Sequence, residues 1–206
     1  MTDDMRKIVE GGYDEGDYES FFRKSHSLNR RERRFFKQLI EKIPKKSAIL
    51  DLGSGTGIPY DKYLVKRGFD VTGIDLSSKH IAMAKKNVPG AKYIQADFSR
   101  FDFGLNVFDA VISFYAVFHI PREEHANLFT KIHSALKEKG ILLVTMGTED
   151  LELCVAEFIG SRMAWSSYSI PTNKRIIENA GFTLVHVEEQ HEDPQEHHLW
   201  ILAQKT

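Results

Sequence analysis

An apolar run that ends in a glycine loop constrains this chain more than any other feature. Residues 47–57 read SAILDLGSGTG, with Gly53, Gly55 and Gly57 spaced two apart and Asp51 just ahead of them. Glycines at that spacing let the backbone turn sharply and approach a ligand with no Cβ in the way. The free N–H groups at the start of the next helix then face whatever binds there. A second apolar run, FDVTGID, ends in Asp75. An acid at the tip of a second strand is placed to accept hydrogen bonds from the two hydroxyls of a ribose. The constellation reads as a nucleoside site at the carboxyl end of a parallel sheet.

The spacing and the charge choose between nucleosides. A dinucleotide fingerprint runs G-x-G-x-x-G, and the position of its third glycine is Ile58 here. A carboxylate such as Asp51 would repel a pyrophosphate but suits a ligand with a positive amino group. S-adenosylmethionine carries a ribose, an adenine, an α-amino group and a sulfonium, and no phosphate. The residues favour it over NAD. A bare glycine turn that binds nothing does not account for Asp75 and Asp97 in register with the loop.

From residue 47 onward apolar strands alternate with helical stretches. Strands are expected at 47–52, 69–74, 91–95, 107–114 and 140–146, and helices at 58–67, 77–87 and 121–138. Ser77 suits an N-cap, Pro121 a first helical turn, and Gly140 a helix end. Such alternation means an α/β fold, a parallel sheet with helices on both faces. Residues 149–164 read as a further helix, 172–180 as another, and 182–189 and 197–204 as a closing hairpin around HEDPQ. Ahead of the core, 13–25 and 28–42 read as helices. The whole of 1–206 is expected to be one domain, with 1–46 an N-terminal helical lid and 47–206 the core.

The chain resembles the class I S-adenosylmethionine-dependent methyltransferases, and within them small uncharacterised bacterial and archaeal proteins. DLGSGTG at 51–57, GIDLS at 73–77, AD at 96–97, FDAVISFYAVFHIPREEH at 108–125 and MAWSSYSIPTNKRIIENAGF at 163–182 carry the likeness. The resemblance implies a Rossmann-like sheet of seven strands, mostly parallel, whose last strand enters antiparallel. It implies that Gly53 and Gly55 approach the methionyl part of the cofactor, and that Asp51 helps hold its amino group. Asp75 takes the ribose hydroxyls, Leu76 lies against adenine, and Asp97 with the backbone of Phe98 reads the ring edge. Asp97 also suits a plain turn cap. Phe114 and Tyr115 leave strand four where ligands sit in open sheets; Phe114 reads equally as core. Tyr13 and Tyr18 are placed to close over the cofactor.

Methyl transfer from a sulfonium is an in-line displacement, so alignment in a dry pocket is the main task and no triad is expected. His119 and Tyr168 are the candidate catalytic groups, His119 as a base or as a ring that fixes its loop. Tyr115, Met163 and Trp165 are the candidate acceptor wall, an apolar surface with polar tips suited to a small, partly aromatic or cationic acceptor.

Charge narrows the partners. Lys and Arg number 28 against 29 Asp and Glu, which leaves no electrostatic footprint for nucleic acid or an anionic membrane. The basic run NRRERRFF at 29–36 reads as a solvated helix face or as a contact for an anionic substrate or lid. One cysteine, Cys154, and an N-terminus without an apolar signal core lead to the expectation of a cytoplasmic protein. His186, His191, His197 and His198 lack metal-ligand spacing, so no metal is expected. Two other readings remain: a cofactor-binding regulatory subunit that does not catalyse, and an NAD-dependent oxidoreductase.

Overall fold

The computed structural model describes residues 2–16, 27–193 and 196–206. The chain enters through α1 (Thr2–Glu15) and α2 (Arg30–Ile40). Then β1 (Ala48–Leu52), α3 (Tyr60–Val65), β2 (Asp70–Asp75), α4 (Ser78–Asn87), β3 (Lys92–Gln95) and β4 (Phe108–Ser113) follow. After two short 3₁₀ turns come α5 (His125–Ala135), β5 (Leu136–Met146), β6 (Leu151–Phe158) and β7 (Ser161–Ser167). The chain closes with α6 (Ile170–Asn179), β8 (Phe182–Asp193) and β9 (Glu196–Lys205).

Seven strands form one sheet in the order β3-β2-β1-β4-β5-β9-β8, and β6 and β7 form a separate hairpin. The first five strands of that order run parallel, while β9 is antiparallel to both β5 and β8. From β1 the chain winds outward to β3, then returns to add β4 on the other side. That reversal opens a crevice at the carboxyl ends of β1 and β4.

Side chains alternate across β1, as the two-residue period of a strand requires. Leu50 and Leu52 pack with Leu128, Phe129 and Ile132 of α5 on one face. Ile49 faces the opposite way, onto Phe35, Phe36 and Leu39 of α2. The helices on both faces bury the sheet, and truncating one core aromatic such as Phe129 to Ala should cost about 3–5 kcal/mol. Helix α2 begins with a capping box: Glu32 N–H donates to Asn29 Oδ1 at 2.9 Å and Asn29 N–H to Glu32 Oε2 at 2.7 Å. Arg30, Arg33 and Arg34 of its basic run are exposed, as a solvated face requires, while Arg31 and Arg34 also pair with Glu188 and clamp α2 to β8.

Four expectations on the course of the chain need correction. Residues 149–164 do not form a helix. Leu151, Leu153 and Val155 alternate with period two, and Ile159 and Gly160, at φ +49° and +81°, make the tight turn of a hairpin. The helix expected to run to 138 stops at Ala135, because Leu136 already pairs with Phe108; Gly140 therefore lies inside a strand. The closing hairpin is longer than read: 191–193 continue β8, and residues 194–195 lie outside the described residues. The first helix starts at Thr2, not near 13. Its glycines hid it, and one of them is required by packing: a Cβ on Gly12 would sit 2.5 Å from the carbonyl oxygen of Arg162 in β7. Residues 17–26, which hold Tyr18 and the rest of the expected 13–25 helix, lie outside the described residues.

Among the described residues no helix is long and apolar enough to cross a membrane. Among them, too, no group of three or more His, Cys, Asp or Glu is placed to hold a metal.

Candidate active site

A cavity of about 670 Å³ opens at the carboxyl edge of the sheet, between the ends of β1 and β4 and beneath α1. The glycine loop forms its floor. Gly53 and Gly55 both sit at positive φ, +78° and +52°, and both line the cavity. At Gly53 the space is also closed to a side chain, since a Cβ would lie 2.3 Å from that of Ala116. Asp75, 7% exposed, ends β2 on the cavity wall. The N–H groups of Gly55 and Ser77 donate to its Oδ2 and Oδ1 at 2.8 and 2.9 Å, so the carboxylate is locked in place with lone pairs to spare. Ser77 caps α4 by accepting from His80 N–H at 3.1 Å and donates its own hydroxyl to Asp14 of α1.

Leu76, Phe98, Phe114 and Tyr115 all line the cavity. Phe114 serves two purposes, because its ring also packs on Tyr60 at 4.3 Å and Trp200 at 5.2 Å. Tyr115 holds φ +55°, a conformation that costs a non-glycine residue energy and that gathers at functional sites. Its N–H donates to Thr145 Oγ1 at 2.6 Å.

Asp97 lines the cavity and also caps its own turn. Its Oδ1 accepts from Ser99 N–H at 2.9 Å and Ser99 Oγ at 2.7 Å. Its Oδ2 accepts from Arg6 of α1, which also pairs with Glu124 and donates to Ser99 Oγ at 2.8 Å. Arg6 thus latches α1 across the cavity. Below the latch Met5, Val9, Met163 and Ala164 form a small apolar cluster.

His119 is held at both ring nitrogens. Nδ1 lies 2.8 Å from the Ala164 carbonyl, which accepts a proton only from an Nδ1–H tautomer. Nε2, 2.9 Å from the Tyr13 hydroxyl, then accepts from it. Burial pushes the imidazole down to about 4 against the upward pull of Ala164 and Asp75. Burial, reinforced by the Asp75 charge, pushes the Tyr13 phenol up. Both groups are therefore neutral at ordinary pH. Trp165 of β7 also lines the cavity, edge-on to Phe158 at 5.8 Å and 6.0 Å from the His119 ring.

Three expected site residues do not reach the cavity. Met163 is fully buried on the same face of β7 as Trp165, but Met5 and Val9 of α1 cover it and keep it off the cavity. Tyr168 lies past the end of β7, its ring 4.9 Å beneath the Arg122 guanidinium and edge-on to His125. Asp51 lies beneath the loop, 2% exposed, against the fully buried Asp61. Burial drives both acids up, Asp51 well above its usual range, and the Asp61 charge pushes Asp51 further. Tyr93 donates to Asp61 Oδ2 at 2.8 Å. The position of Tyr18 lies outside the described residues.

The sequence reading missed Arg6, His80 and His198 as cavity residues. Arg6 sits in a polar stretch with no motif. His198 was read on the closing strand 197–204 but given no part in the site, though β9 carries it to the cavity.

The donor set fits a nucleoside that carries a cation. It offers a fixed carboxylate for a diol, apolar faces for a flat base and aromatic rings near the centre. The only lysine or arginine among the described lining residues, Arg6, is already paired with acids. Such a site at a switch point of a Rossmann-like sheet suits a nucleoside ligand. Comparison with known proteins gives the family. A methyltransferase domain matches residues 49–140. An uncharacterized methyltransferase of Synechocystis sp. is 31% identical over 144 residues, 66% of this chain and 67% of that protein. Phosphoethanolamine N-methyltransferase of Plasmodium falciparum is 30% identical over 150 residues, 71% of this chain. A methyltransferase structure from Methanosarcina mazei superposes with a TM-score of 0.72 at 16% identity, over 82% of this chain and 96% of that one. The chain belongs to the class I S-adenosylmethionine-dependent methyltransferases. It spans about half, 51%, of the Plasmodium enzyme and of an Oceanobacillus iheyensis relative.

Proposed function

We propose that the protein transfers a methyl group from S-adenosylmethionine to a small-molecule acceptor, with the Tyr13–His119 pair beside the reacting atoms. When bound, the cofactor supplies a methyl carbon made electrophilic by its sulfonium. Asp75 holds the ribose hydroxyls, and the backbone of Gly53 and Gly55 lets the methionyl chain lie close. Leu76 packs on adenine. Asp97, with about one acceptor position left after Ser99 and Arg6, takes the exocyclic amine beside the Phe98 backbone. Asp51, buried against Asp61, braces the loop from beneath and does not touch the cofactor.

Tyr13, Trp165 and Tyr115 hold the acceptor in line and keep water out. A bound cofactor would give up its methyl carbon to the acceptor atom, the electron pair of the carbon–sulfur bond remaining on sulfur. The acceptor's proton passes to Tyr13, whose own proton passes to His119 Nε2. The observation that carries this reading is the 2.9 Å contact between Tyr13 and His119 on the same cavity wall as Asp75.

Small-molecule acceptors are consistent with the relatives. One neighbouring structure is the Burkholderia thailandensis 1,6-didemethyltoxoflavin-N1-methyltransferase, holding its substrate and S-adenosylhomocysteine, with a TM-score of 0.65. The test is transfer of labelled methyl from S-adenosylmethionine into the small-molecule fraction of a cell extract. Label there, absent with Tyr13→Phe, supports the proposal. Cofactor binding without label in any fraction would instead support a non-catalytic subunit.

A further inference from the structure

A second cavity of about 320 Å³ adjoins the first, and the two share Phe118, Trp165 and His198 as a common wall. We propose that the acceptor site runs from the Tyr13–His119 pair past His198 into this second cavity. It takes a flat aromatic acceptor without an anionic group, and His198 is the neutral hydrogen-bonding group that positions it. The inference rests on the methyl-transfer reading above and names its substrate class.

Shape is the first support. The shared wall is built of rings. Phe118 stacks on His198 at 5.4 Å and 13°, Tyr115 meets His198 edge-on at 4.8 Å, and Trp165 closes the other side. Flat rings gain from stacking and edge contacts in such a slot.

Unmet hydrogen bonding is the second. His198 Nδ1 is buried with no hydrogen-bond partner. A buried imidazole nitrogen without a partner costs free energy that a ligand repays by satisfying the ring. Burial, helped by His119 and His197, pushes His198 down to about 4, so the ring offers a hydrogen bond rather than a charge.

Charge is the third. Among the described residues that line the two cavities, Arg6 is the only lysine or arginine, and Asp97 and Glu124 hold it. The same linings carry the acids Glu32, Asp75, Asp97 and Glu149. An anionic acceptor would meet carboxylates with no cation to receive it, while a neutral or cationic ring meets none of that cost.

The experiment is calorimetry on the full chain in two stages. S-adenosylhomocysteine is titrated first into wild type, His198→Phe and Thr148→Tyr. Three probes then follow into the loaded proteins: tryptamine, 4-hydroxyquinoline and phosphoethanolamine. The expected result is binding of at least one aromatic probe to wild type and none of phosphoethanolamine. His198→Phe, which keeps the stack and loses the nitrogens, weakens the aromatic probe about tenfold, the scale of one hydrogen bond. Thr148→Tyr fills the second cavity from its rim and blocks the probe. Binding of phosphoethanolamine but neither aromatic probe would overturn the inference. So would aromatic binding unchanged in both variants. Failure of S-adenosylhomocysteine itself to bind would overturn the methyl-transfer reading on which the inference stands, and is read separately in the first stage.

Discussion

The Tyr13 hydroxyl donates to His119 Nε2 across 2.9 Å, joining the first helix to the turn after β4. The contact links a lid element to the sheet edge where the chemistry is proposed. It also leaves His119 no free nitrogen, since Nδ1 is committed to Ala164. His119 alone is therefore a poor base, and the hydroxyl of Tyr13 is the group that presents the pair to an acceptor.

Tyr13→Phe removes that hydroxyl and keeps the ring. The turnover number should fall about a hundredfold, in the range of general acid–base contributions, with S-adenosylhomocysteine still bound. His119→Ala should lower turnover and the melting temperature together, because the tie to Ala164 goes as well. Steady-state kinetics beside thermal melts separate the two. Full activity in Tyr13→Phe would remove the pair from the mechanism.

His119, His125 and His198 are each driven down to about 4, chiefly by burial. In the unfolded chain they titrate near 6.5. Between about 6.5 and 4 the unfolded state binds more protons, so stability falls as pH falls, by up to about 1.4 kcal/mol per pH unit for each histidine. Denaturant melts at pH 7, 6 and 5 should show this steep loss. A flat profile would mean the rings are hydrated or paired in solution.

Asp51 and Asp61 carry the opposite sign. Burial raises both folded-state values above those of the unfolded chain, Asp61 to about 6. The stability they contribute is present at low pH and lost as pH rises through those raised values. Asp61→Asn keeps the shape and removes one ionisation. Its melting temperature should exceed wild type at pH 8, and the gap should close near pH 5.

Two adjacent glycines in α1 should respond in opposite directions. A Cβ on Gly11 meets nothing within 4 Å, so Gly11→Ala should stabilise the helix by about 0.5–1 kcal/mol. A Cβ on Gly12 meets the Arg162 carbonyl at 2.5 Å, so Gly12→Ala should lift α1 off β7 despite the same helix gain. Melting temperature and S-adenosylhomocysteine release rate should rise and stay level for the first, and fall and quicken for the second.

Arg6 latches the same helix. Arg6→Met strips Asp97 and Glu124 of their shared cation. Release of S-adenosylhomocysteine should quicken about tenfold in stopped flow, the effect of losing about 1.4 kcal/mol from the closed state. An unchanged rate would mean that α1 does not gate the cofactor.

The cavity floor was legible because it is written in short local patterns. Gly53, Gly55, Asp75 and Phe98 follow strands whose apolar runs are plain, and strand ends in a parallel sheet meet at one edge. The cavity wall around α1 and β7 was less so, because long-range packing assembles it. Arg6 and Tyr13 arrive on a helix whose glycines argue against a helix until β7 is seen beside it. Trp165 lines the cavity from a strand rather than from a turn, and Met163, on the same face of β7, is kept out of it by Met5 and Val9 of α1. Tyr168 failed because a position just past a strand points where the next helix turns the chain. His198 was read on the closing strand, but only the sheet order, with β9 next to β5, brings that strand to the cavity.

The most direct test is calorimetric titration of S-adenosylhomocysteine and NAD into wild type and Asp75→Ala. The account predicts saturable one-site binding of S-adenosylhomocysteine, loss of about tenfold or more in Asp75→Ala, and no binding of NAD. Saturable NAD binding, or S-adenosylhomocysteine affinity indifferent to Asp75, would contradict it.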